Sequence, residues 1–241
     1  MKYKIIKFDT ISSTNKYLKD NYQSLDEYTV CHSLIQTEGK GRLSRKWESD
    51  KGCLSFSILL KPKKEDVSII SLIAGASVCM LINKYADAQI KWPNDIIVDD
   101  KKICGILLES ISYEKIEAVV VGIGINVNQD NFNDEIKDKA ISLKMIKNKE
   151  FDLDILLKDL LDIFFSLYQQ YLNDDYSFLD ILRNHNYLKD KTGMINDKEY
   201  KILDIDDNGN LVVADKNNQI SHIYSGEVSL NTFYINHLHN N

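Results

Sequence analysis

The alternation of apolar and polar positions predicts a chain that mixes strands and helices up to about residue 187. Short apolar runs bounded by turn residues are typical of strands, and apolar positions three and four apart are typical of helices. Predicted strands lie at 2–8, 28–36, 54–60, 89–92, 96–99, 102–110 and 116–126. Predicted helices lie at 67–85, 151–172 and 177–184, and a short one after the polar turn at 9–15 ends near residue 21.

The pattern changes after about Tyr187 to short strand candidates separated by turns. These candidates lie at 192–195, 200–205, 211–214, 219–224 and 228–230. The pair Asn196-Asp197 and the cluster at 207–210 are strong turn signals. The sequence therefore predicts a main domain at 1–186 and a small all-β domain at 187–241.

Composition narrows the class of protein. With 44% hydrophobic and 27% charged residues the chain has material for a core and no signature of disorder. The formal net charge of -6 argues against broad nucleic-acid binding. The N-terminus predicts no signal peptide, and no apolar stretch reaches the length of a membrane span. The 4 cysteines have neither metal-ligand nor redox spacing, which indicates free thiols in a reducing cytoplasm.

The segment from Gly39 to Trp47 concentrates positive charge on a flexible backbone. Two glycines let the chain approach a ligand closely, and Lys40, Arg42, Arg45 and Lys46 can neutralise an anion. Trp47 offers a face on which a base can stack. The segment is not a P-loop, because Leu34 stands in place of its first glycine and Gly41 in place of its Ser or Thr. A solvated basic loop is the alternative interpretation.

The second motif, Lys91-Trp92-Pro93-Asn94-Asp95, places an ammonium, an amide and a carboxylate around a proline. Magnesium is usually held by one or two carboxylates together with phosphates, so Asp95 is a candidate metal ligand. An ordinary turn residue is an equally good interpretation of Asp95 from this motif alone.

A third set of candidates lies in the strands that follow. Lys102 at the start of an apolar strand can place a charge over a reacting carboxylate or phosphate, or it is an ordinary strand-end lysine. Gly105 leaves room for a ligand to lie against the backbone, and Asn126 can reach the same place. The pair Gly122 and Gly124 lacks the third glycine of a dinucleotide fingerprint. Cys104 has apolar neighbours, which favours a buried structural thiol over a nucleophile.

In this order the motifs resemble the catalytic core of biotin–protein ligases. The matching segments are Ser13-Thr14-Asn15, 36–42, 45–47, 91–95, 102–109 and 122–126, and 226–230 resembles the end of that family's C-terminal domain. The resemblance implies an α+β catalytic domain with a mixed sheet and a small C-terminal SH3-like β-barrel. It also implies a cytoplasmic ligase that uses ATP and Mg²⁺ to convert biotin to biotinyl-5′-AMP, and that then biotinylates a lysine of a biotin carboxyl carrier protein.

The resemblance also assigns roles to residues. Arg42 and Lys102 are the implied catalytic residues, and Asp95 is the implied magnesium ligand. The implied biotin-binding residues are Ser13, Thr14, Asn15, Gln36, Gly39, Lys40, Gly41, Arg42, Lys102, Gly105, Gly122 and Gly124. The implied ATP-binding residues are Arg42, Arg45, Trp47, Lys91, Asn94 and Asn126.

Two departures from the family pattern occur in the glycine-rich loop, where Lys40 replaces an arginine and Ser44 a glycine. Lysine keeps the charge but loses the bidentate fork. A lipoate or octanoate ligase of the same superfamily is the nearest alternative, although its Ser-Gly-Gly-Gly loop is not present here. A regulator that also binds DNA is a second alternative, but only twelve residues precede Ser13, so we expect no DNA-binding domain and no DNA or membrane partner. The sequence leaves the oligomeric state open, with a homodimer as one possibility.

Overall fold

A computed structural model describes residues 1–64 and 66–230 of the chain. The strands of the first part are β1 (Lys4–Ile11), β2 (Thr29–Gln36), β3 (Cys53–Leu60), β4 (Gln89–Lys91), β5 (Asp95–Val98), β6 (Lys101–Ser112) and β7 (Ile116–Asn126). Those of the last part are β8 (Thr192–Ile195), β9 (Lys198–Ile205), β10 (Leu211–Ala214), β11 (Ile220–Ile223) and β12 (Ser229–Leu230). The helices are α1 (Thr14–Asn21), α2 (Ser68–Ile82), α3 (Leu143–Lys147), α4 (Leu153–Leu172) and α5 (Phe178–Asn184), with a 3₁₀ turn at Arg42–Ser44.

Strands β1 to β7 form one mixed sheet in the order β1-β2-β3-β7-β6-β5-β4. Only β1 and β2 run parallel, because α1 carries the chain from one back to the start of the other. The remaining neighbours are antiparallel, and β6 and β7 form the long hairpin that the sequence predicts. The mixed sheet confirms the predicted fold class.

Consecutive apolar residues in the central strands make both faces of this sheet apolar, and both faces are covered by helices. Ile58, Val119 and Val121 point to the larger core, beneath α2 and α4, whereas Leu59 and Val120 point to a smaller core beneath α1. This arrangement follows from the two-residue period of a strand. Because α1 is only 8 residues long, it covers part of its face and leaves room for a ligand beside its N-terminus.

The helices differ in how far they are buried. Helix α2 is apolar on almost every side and lies between the sheet and the helices α4 and α5. Helix α4 is amphipathic, and the Asp152 side chain caps its N-terminus by accepting from Asp154 N at 2.8 Å. The pattern misses α3 because only Leu143 of its 5 residues is buried. No helix among the described residues combines the length and apolar character needed to cross a lipid bilayer.

The C-terminal strands form a second, antiparallel sheet in the order β11-β10-β9-β8-β12. The indole of Trp92 joins this sheet to the main one, since it is buried and donates to the Gly209 carbonyl at 3.0 Å. The separate all-β sheet confirms the predicted C-terminal part of the fold, and the boundary at 186 stays a prediction. The structure describes this part only as far as Leu230.

Candidate functional site

The predicted site residues meet at a cavity on the α1 face of the main sheet, called here the inner cavity. Its floor consists of alternate positions of β6 and β7, including Gly105, Gly122 and Gly124. One wall is the N-terminal turn of α1 and the opposite wall is the glycine-rich loop. The predicted residues on its wall are Ser13, Thr14, Asn15, Gln36, Lys40, Gly41, Arg42, Trp47, Asn94, Lys102, Gly105, Gly122 and Gly124.

A buried set of hydroxyls and amides forms the closed end of the inner cavity. Gln36 Oε1 accepts from Thr14 N at 2.8 Å, and the hydroxyls of Thr14 and Ser57 lie 2.7 Å apart. Asn15 fills the space above Gly122, where a Cβ would lie 2.3 Å from Asn15 Oδ1. This glycine therefore makes room for a protein side chain. Apart from Glu109 and Lys19 behind Asn15, the described residues give this end of the cavity no formal charge.

The glycine-rich loop is a short hairpin. Trp47 N donates to Gly39 O at 3.0 Å, and Gly41 N donates to Arg45 O at 2.7 Å. The Cβ of any other residue at Gly39 would lie 2.5 Å from the Trp47 carbonyl oxygen, so this position requires glycine. Gly39 is buried within the loop and lies on the wall of neither cavity described here.

The Trp47 indole covers the floor of the inner cavity. It lies over both Gly105 and Gly124, with its Cζ3 atom 3.1 Å from the position of a Cβ at Gly105. Its Nε1 is buried and has no hydrogen-bond partner within residues 1–64 and 66–230. A buried donor without a partner is costly, and no hydrogen bond from this nitrogen to a described residue stabilises the indole in this position.

The two arginines of the loop contact other parts of the chain. Arg42 donates to Asn94 Oδ1 and to the Gly226 carbonyl, both at 3.0 Å. Arg45 forms a bidentate pair with Glu227, at 3.0 and 2.7 Å. The loop is therefore held between the second motif and the segment before β12. Glu227 is a residue of the site for which the sequence analysis proposes no role.

Lys102 lies beside the second motif. Its Nζ is 2.7 Å from Asp95 Oδ1 and 5.6 Å from the centre of the Trp47 ring. Asn126 Nδ2 donates to the Lys102 carbonyl at 3.3 Å, and Asn94 Nδ2 donates to the Ile106 carbonyl at 3.0 Å. Backbone pairing between β5 and β6 places Asp95 opposite Gly105, which brings the lysine and the carboxylate together. Lys91 faces a separate cleft, beside Arg45 and Glu227.

A second, outer cavity of about 460 Å³ opens next to the first. Arg42 and Lys102 stand on the walls of both. Its far wall is the segment after β7, which the sequence analysis overlooks. Phe132, Ile136 and Ala140 recur there every four residues. This helical spacing is the sequence signal from which a shared apolar face could have been predicted. Asn133 donates to Glu48 and connects this wall to the loop.

The outer cavity offers the carboxylate of Asp95 as a magnesium ligand. Asp95 is partly buried on the wall of the outer cavity, and nucleotide phosphates would supply the remaining oxygen ligands. Its Oδ1 already faces Lys102. Within the described part of the chain, no three His, Cys, Asp or Glu side chains cluster to hold a metal.

The cysteines are unsuited to nucleophilic catalysis. All four are buried, and burial raises the pKa of the Cys53 thiol to about 11 and that of Cys31 to about 12. Burial also raises the pKa of Cys104 well above its ordinary value, although Lys102 lowers it. A thiol with so high a pKa is not ionised at neutral pH. The interpretation of Cys104 as a structural residue agrees with this geometry.

Comparisons with known proteins identify the family. The biotin/lipoate A/B protein ligase family matches residues 7–126, and the biotin protein ligase C terminal domain matches residues 193–231. The bifunctional ligase/repressor BirA of Bacillus subtilis is 34% identical over 240 residues, 94% of this chain and 74% of that protein. The biotin--[acetyl-CoA-carboxylase] ligase of Paracoccus denitrificans is 33% identical over 99 residues, 38% of this chain and 41% of that protein.

Solved structures agree with these relatives. The biotin protein ligase from Aquifex aeolicus, in complex with biotin and ATP, superposes with a TM-score of 0.85 at 30% identity. The match covers 95% of this chain and 98% of that one. A mutant of the same ligase, in complex with biotin, superposes with a TM-score of 0.84 at 29% identity and covers the same shares of the two chains. The chain therefore belongs to the biotin/lipoate A/B protein ligase family, as a biotin protein ligase.

Proposed function

We propose that this chain joins biotin to ATP, giving biotinyl-5′-AMP and pyrophosphate, and then transfers biotin to a lysine of a biotin carboxyl carrier protein. One observation carries the proposal. The inner cavity has a neutral polar end and a cationic end, and the cationic end opens into an outer cavity within the size range of ligand pockets. Arg42 and Lys102 belong to both walls, so a carboxylate and an α-phosphate can meet between them.

The two ends of the inner cavity suit the two ends of biotin. Hydroxyls and amides at Ser13, Thr14 and Gln36 match a urea group, which both donates and accepts hydrogen bonds. Arg42 and Lys102 match a carboxylate. We therefore place the urea beside α1 and the carboxylate at the junction of the cavities.

The first half-reaction requires no nucleophile from the protein. A carboxylate oxygen of biotin attacks the α-phosphorus of ATP, and the bond to the pyrophosphate oxygen breaks. Positive charge at Arg42 and Lys102 stabilises the negative charge that builds up on the transferred group. Holding both reactants at the junction supplies the orientation that the reaction needs.

The outer cavity is suited to the nucleotide. Phe132, Ile136 and Ala140 offer an apolar wall for the base, opposite the basic residues of the loop. Asp95 is the residue that would hold magnesium, which neutralises phosphate charge when bound. Asn94 and Asn126 lie on the wall of this cavity, while Lys91 contributes at the neighbouring cleft.

In the second half-reaction the ε-amine of the carrier lysine attacks the acyl carbon and AMP leaves. The Paracoccus relative is named for acetyl-CoA carboxylase, and we propose a carboxylase biotin domain as the carrier here. Free, buried thiols at all four cysteines fit a reducing compartment, which supports a cytoplasmic location.

Pyrophosphate exchange into ATP tests this function. We expect exchange with biotin and background rates with lipoate or octanoate, all measured on the same preparation. Full activity would require a biotin carrier domain as the acceptor. Exchange with lipoate at a rate equal to that with biotin would contradict the substrate assignment.

A further inference from the structure

A chain of hydrogen bonds connects the closed end of the inner cavity to a carboxylate behind it. Asn15 Nδ2 donates to Glu109 Oε2 at 2.8 Å, and Ser57 donates to Asn15 Oδ1 at 2.5 Å. The Thr14 hydroxyl lies 2.7 Å from that of Ser57. Asn15, Ser57 and Thr14 are all buried, so water does not compete for these bonds.

Glu109 is held in its ionised form. Burial alone would raise the pKa of Glu109. Hydrogen bonds from Lys19 and Asn15 together lower it by more, so the resulting pKa lies below the ordinary value. Lys19 also forms an ion pair with it. An ionised carboxylate only accepts hydrogen bonds, so the Asn15 amide must present its nitrogen to Glu109.

This requirement fixes the direction of every bond that follows. With its nitrogen facing Glu109, Asn15 presents its oxygen to Ser57, so the single hydrogen of Ser57 points to Asn15. The separation of 2.7 Å between the hydroxyls of Ser57 and Thr14 is that of a hydrogen bond. Thr14 must then be the donor.

Gln36 does not change this assignment. Its Oε1 accepts from Thr14 N at 2.8 Å and lies within reach of the Thr14 hydroxyl at 3.0 Å, but there too Thr14 is the donor. Ser57 Oγ is the nearer acceptor and has no hydrogen left to give to Thr14. The oxygen of Thr14 therefore faces the inner cavity with lone pairs only.

We propose that Glu109 is a positioning residue for biotin recognition, which sets the Thr14 hydroxyl as an acceptor for a urea N–H through Asn15 and Ser57. The inference rests on the proposed function, since it requires the urea beside α1. Glu109 touches neither the substrate nor the reacting atoms in this arrangement. Its role is to exclude the alternative in which Thr14 donates its hydrogen to the urea.

The test compares biotin with its two cyclic carbamate isomers, in which one urea N–H is replaced by a ring oxygen. Calorimetry gives the dissociation constant of each ligand for the full chain. In one isomer the ring oxygen lies opposite the Thr14 hydroxyl, so that two acceptor oxygens face each other in the parent protein. We expect this isomer to bind at least about tenfold more weakly than biotin. The other isomer serves as the internal reference.

Glu109→Gln keeps the shape of the side chain but removes the strong acceptor of the Asn15 amide, so that the longer bond from Asn15 Nδ2 to the Leu107 carbonyl, at 3.4 Å, is left to oppose its turning. Thr14 can then donate to the ring oxygen of the weaker isomer. We therefore expect the discrimination against that isomer to fall by roughly two- to tenfold, as for the gain or loss of one hydrogen bond. Exchange at saturating biotin should keep the parent rate. Lys189→Met removes an exposed ion pair with Asp204 and is the control expected to keep the full discrimination.

Ser57→Ala provides a second test that leaves the charges in place. It breaks the chain between Asn15 and Thr14, and we expect the same loss of discrimination. If Glu109→Gln does not fold, Ser57→Ala decides. Equal weakening of biotin and both isomers, or unchanged discrimination, would overturn the inference while leaving biotin binding intact. A parent protein that binds no biotin would contradict the proposed function as well.

Discussion

The Trp47 indole occupies the space that a side chain at Gly124 would fill. A Cβ built there would lie 2.4 Å from the indole Nε1. The residues are 77 positions apart in the chain, and only the hairpin of the glycine-rich loop brings them together. Because the indole lies on the floor of the inner cavity, a ligand that uses this floor must move it.

We expect biotin to change the fluorescence of Trp47. Displacing the indole from its position over Gly105 and Gly124 changes its surroundings, so a titration with biotin should give a saturable signal. The protein has 2 tryptophans, and Trp92 is buried with a fixed partner. Trp47→Phe should abolish the signal. A signal that persists in Trp47→Phe would show that Trp92 reports the change.

The strands and their order along the chain could be predicted, because apolar runs such as 54–60 and 116–126 are long and bounded by turns. Most residues of the contiguous motifs line the inner or the outer cavity, whereas Gly39 lines neither and Lys91 lines a separate cleft. Asn15 and Gly122 could not be paired in advance, since their contact depends on how α1 lies across the sheet. Arg45 and Glu227 are even further apart in sequence, and a charge run alone does not reveal its partner.

The segment 129–141 was overlooked for a different reason. It is mostly polar, and its few apolar residues are Phe132, Ile136, Ala140 and Ile141. Its position is fixed by backbone bonds to β6, in which Lys102 N donates to Lys139 O at 2.7 Å and Ile141 N donates to Lys102 O at 3.1 Å. The spacing of Phe132, Ile136 and Ala140 is a local signal, but the pairing with β6 is tertiary and leaves no pattern in the sequence.

Glu227 should compete with ATP for Arg45. The pair is bidentate but Arg45 is largely exposed, with 65% of its side-chain surface accessible. Exposed pairs are worth about 0–1 kcal/mol, so Glu227→Gln should lower the KM for ATP by up to about fivefold. The dissociation constant of biotin should not change. A higher KM for ATP would instead show that Glu227 is needed to hold the loop.

Glu109 should make the stability of the protein sensitive to acid. Its folded-state pKa lies below the ordinary value, and glutamate in an unfolded chain titrates at about 4.3. Its contribution is therefore fully present above that pH and is lost as the pH falls through the folded-state pKa. We expect the difference in urea midpoint between the parent and Glu109→Gln to be largest near neutral pH and to close below about pH 4.

The control for this experiment is Glu114→Gln, in the exposed turn between β6 and β7. Its midpoint should follow that of the parent at every pH. A difference between the parent and Glu109→Gln that persists unchanged in acid would show that the carboxylate charge is not what stabilises the fold.

Arg42 and Lys102 should fail in different ways when they are removed. Arg42 makes two hydrogen bonds to neutral acceptors, Asn94 and Gly226, and can exchange them for bonds to the adenylate phosphate. Hydrogen bonds to charged groups are worth roughly 1.5–3 kcal/mol, so Arg42→Gly should speed escape of the adenylate by about ten- to a hundredfold. Lys102→Ala removes the charge next to the reacting carboxylate and should slow adenylate formation.

Two measurements on each variant separate these outcomes. The first is pyrophosphate exchange, and the second is biotin incorporation into a protein that is not a carrier. The adenylate is a reactive mixed anhydride, so an adenylate that escapes will acylate stray lysines. We expect Arg42→Gly to retain exchange and to gain labelling of bystander proteins, and Lys102→Ala to lose both. Normal exchange by Arg42→Gly without added labelling would show that Arg42 does not retain the intermediate.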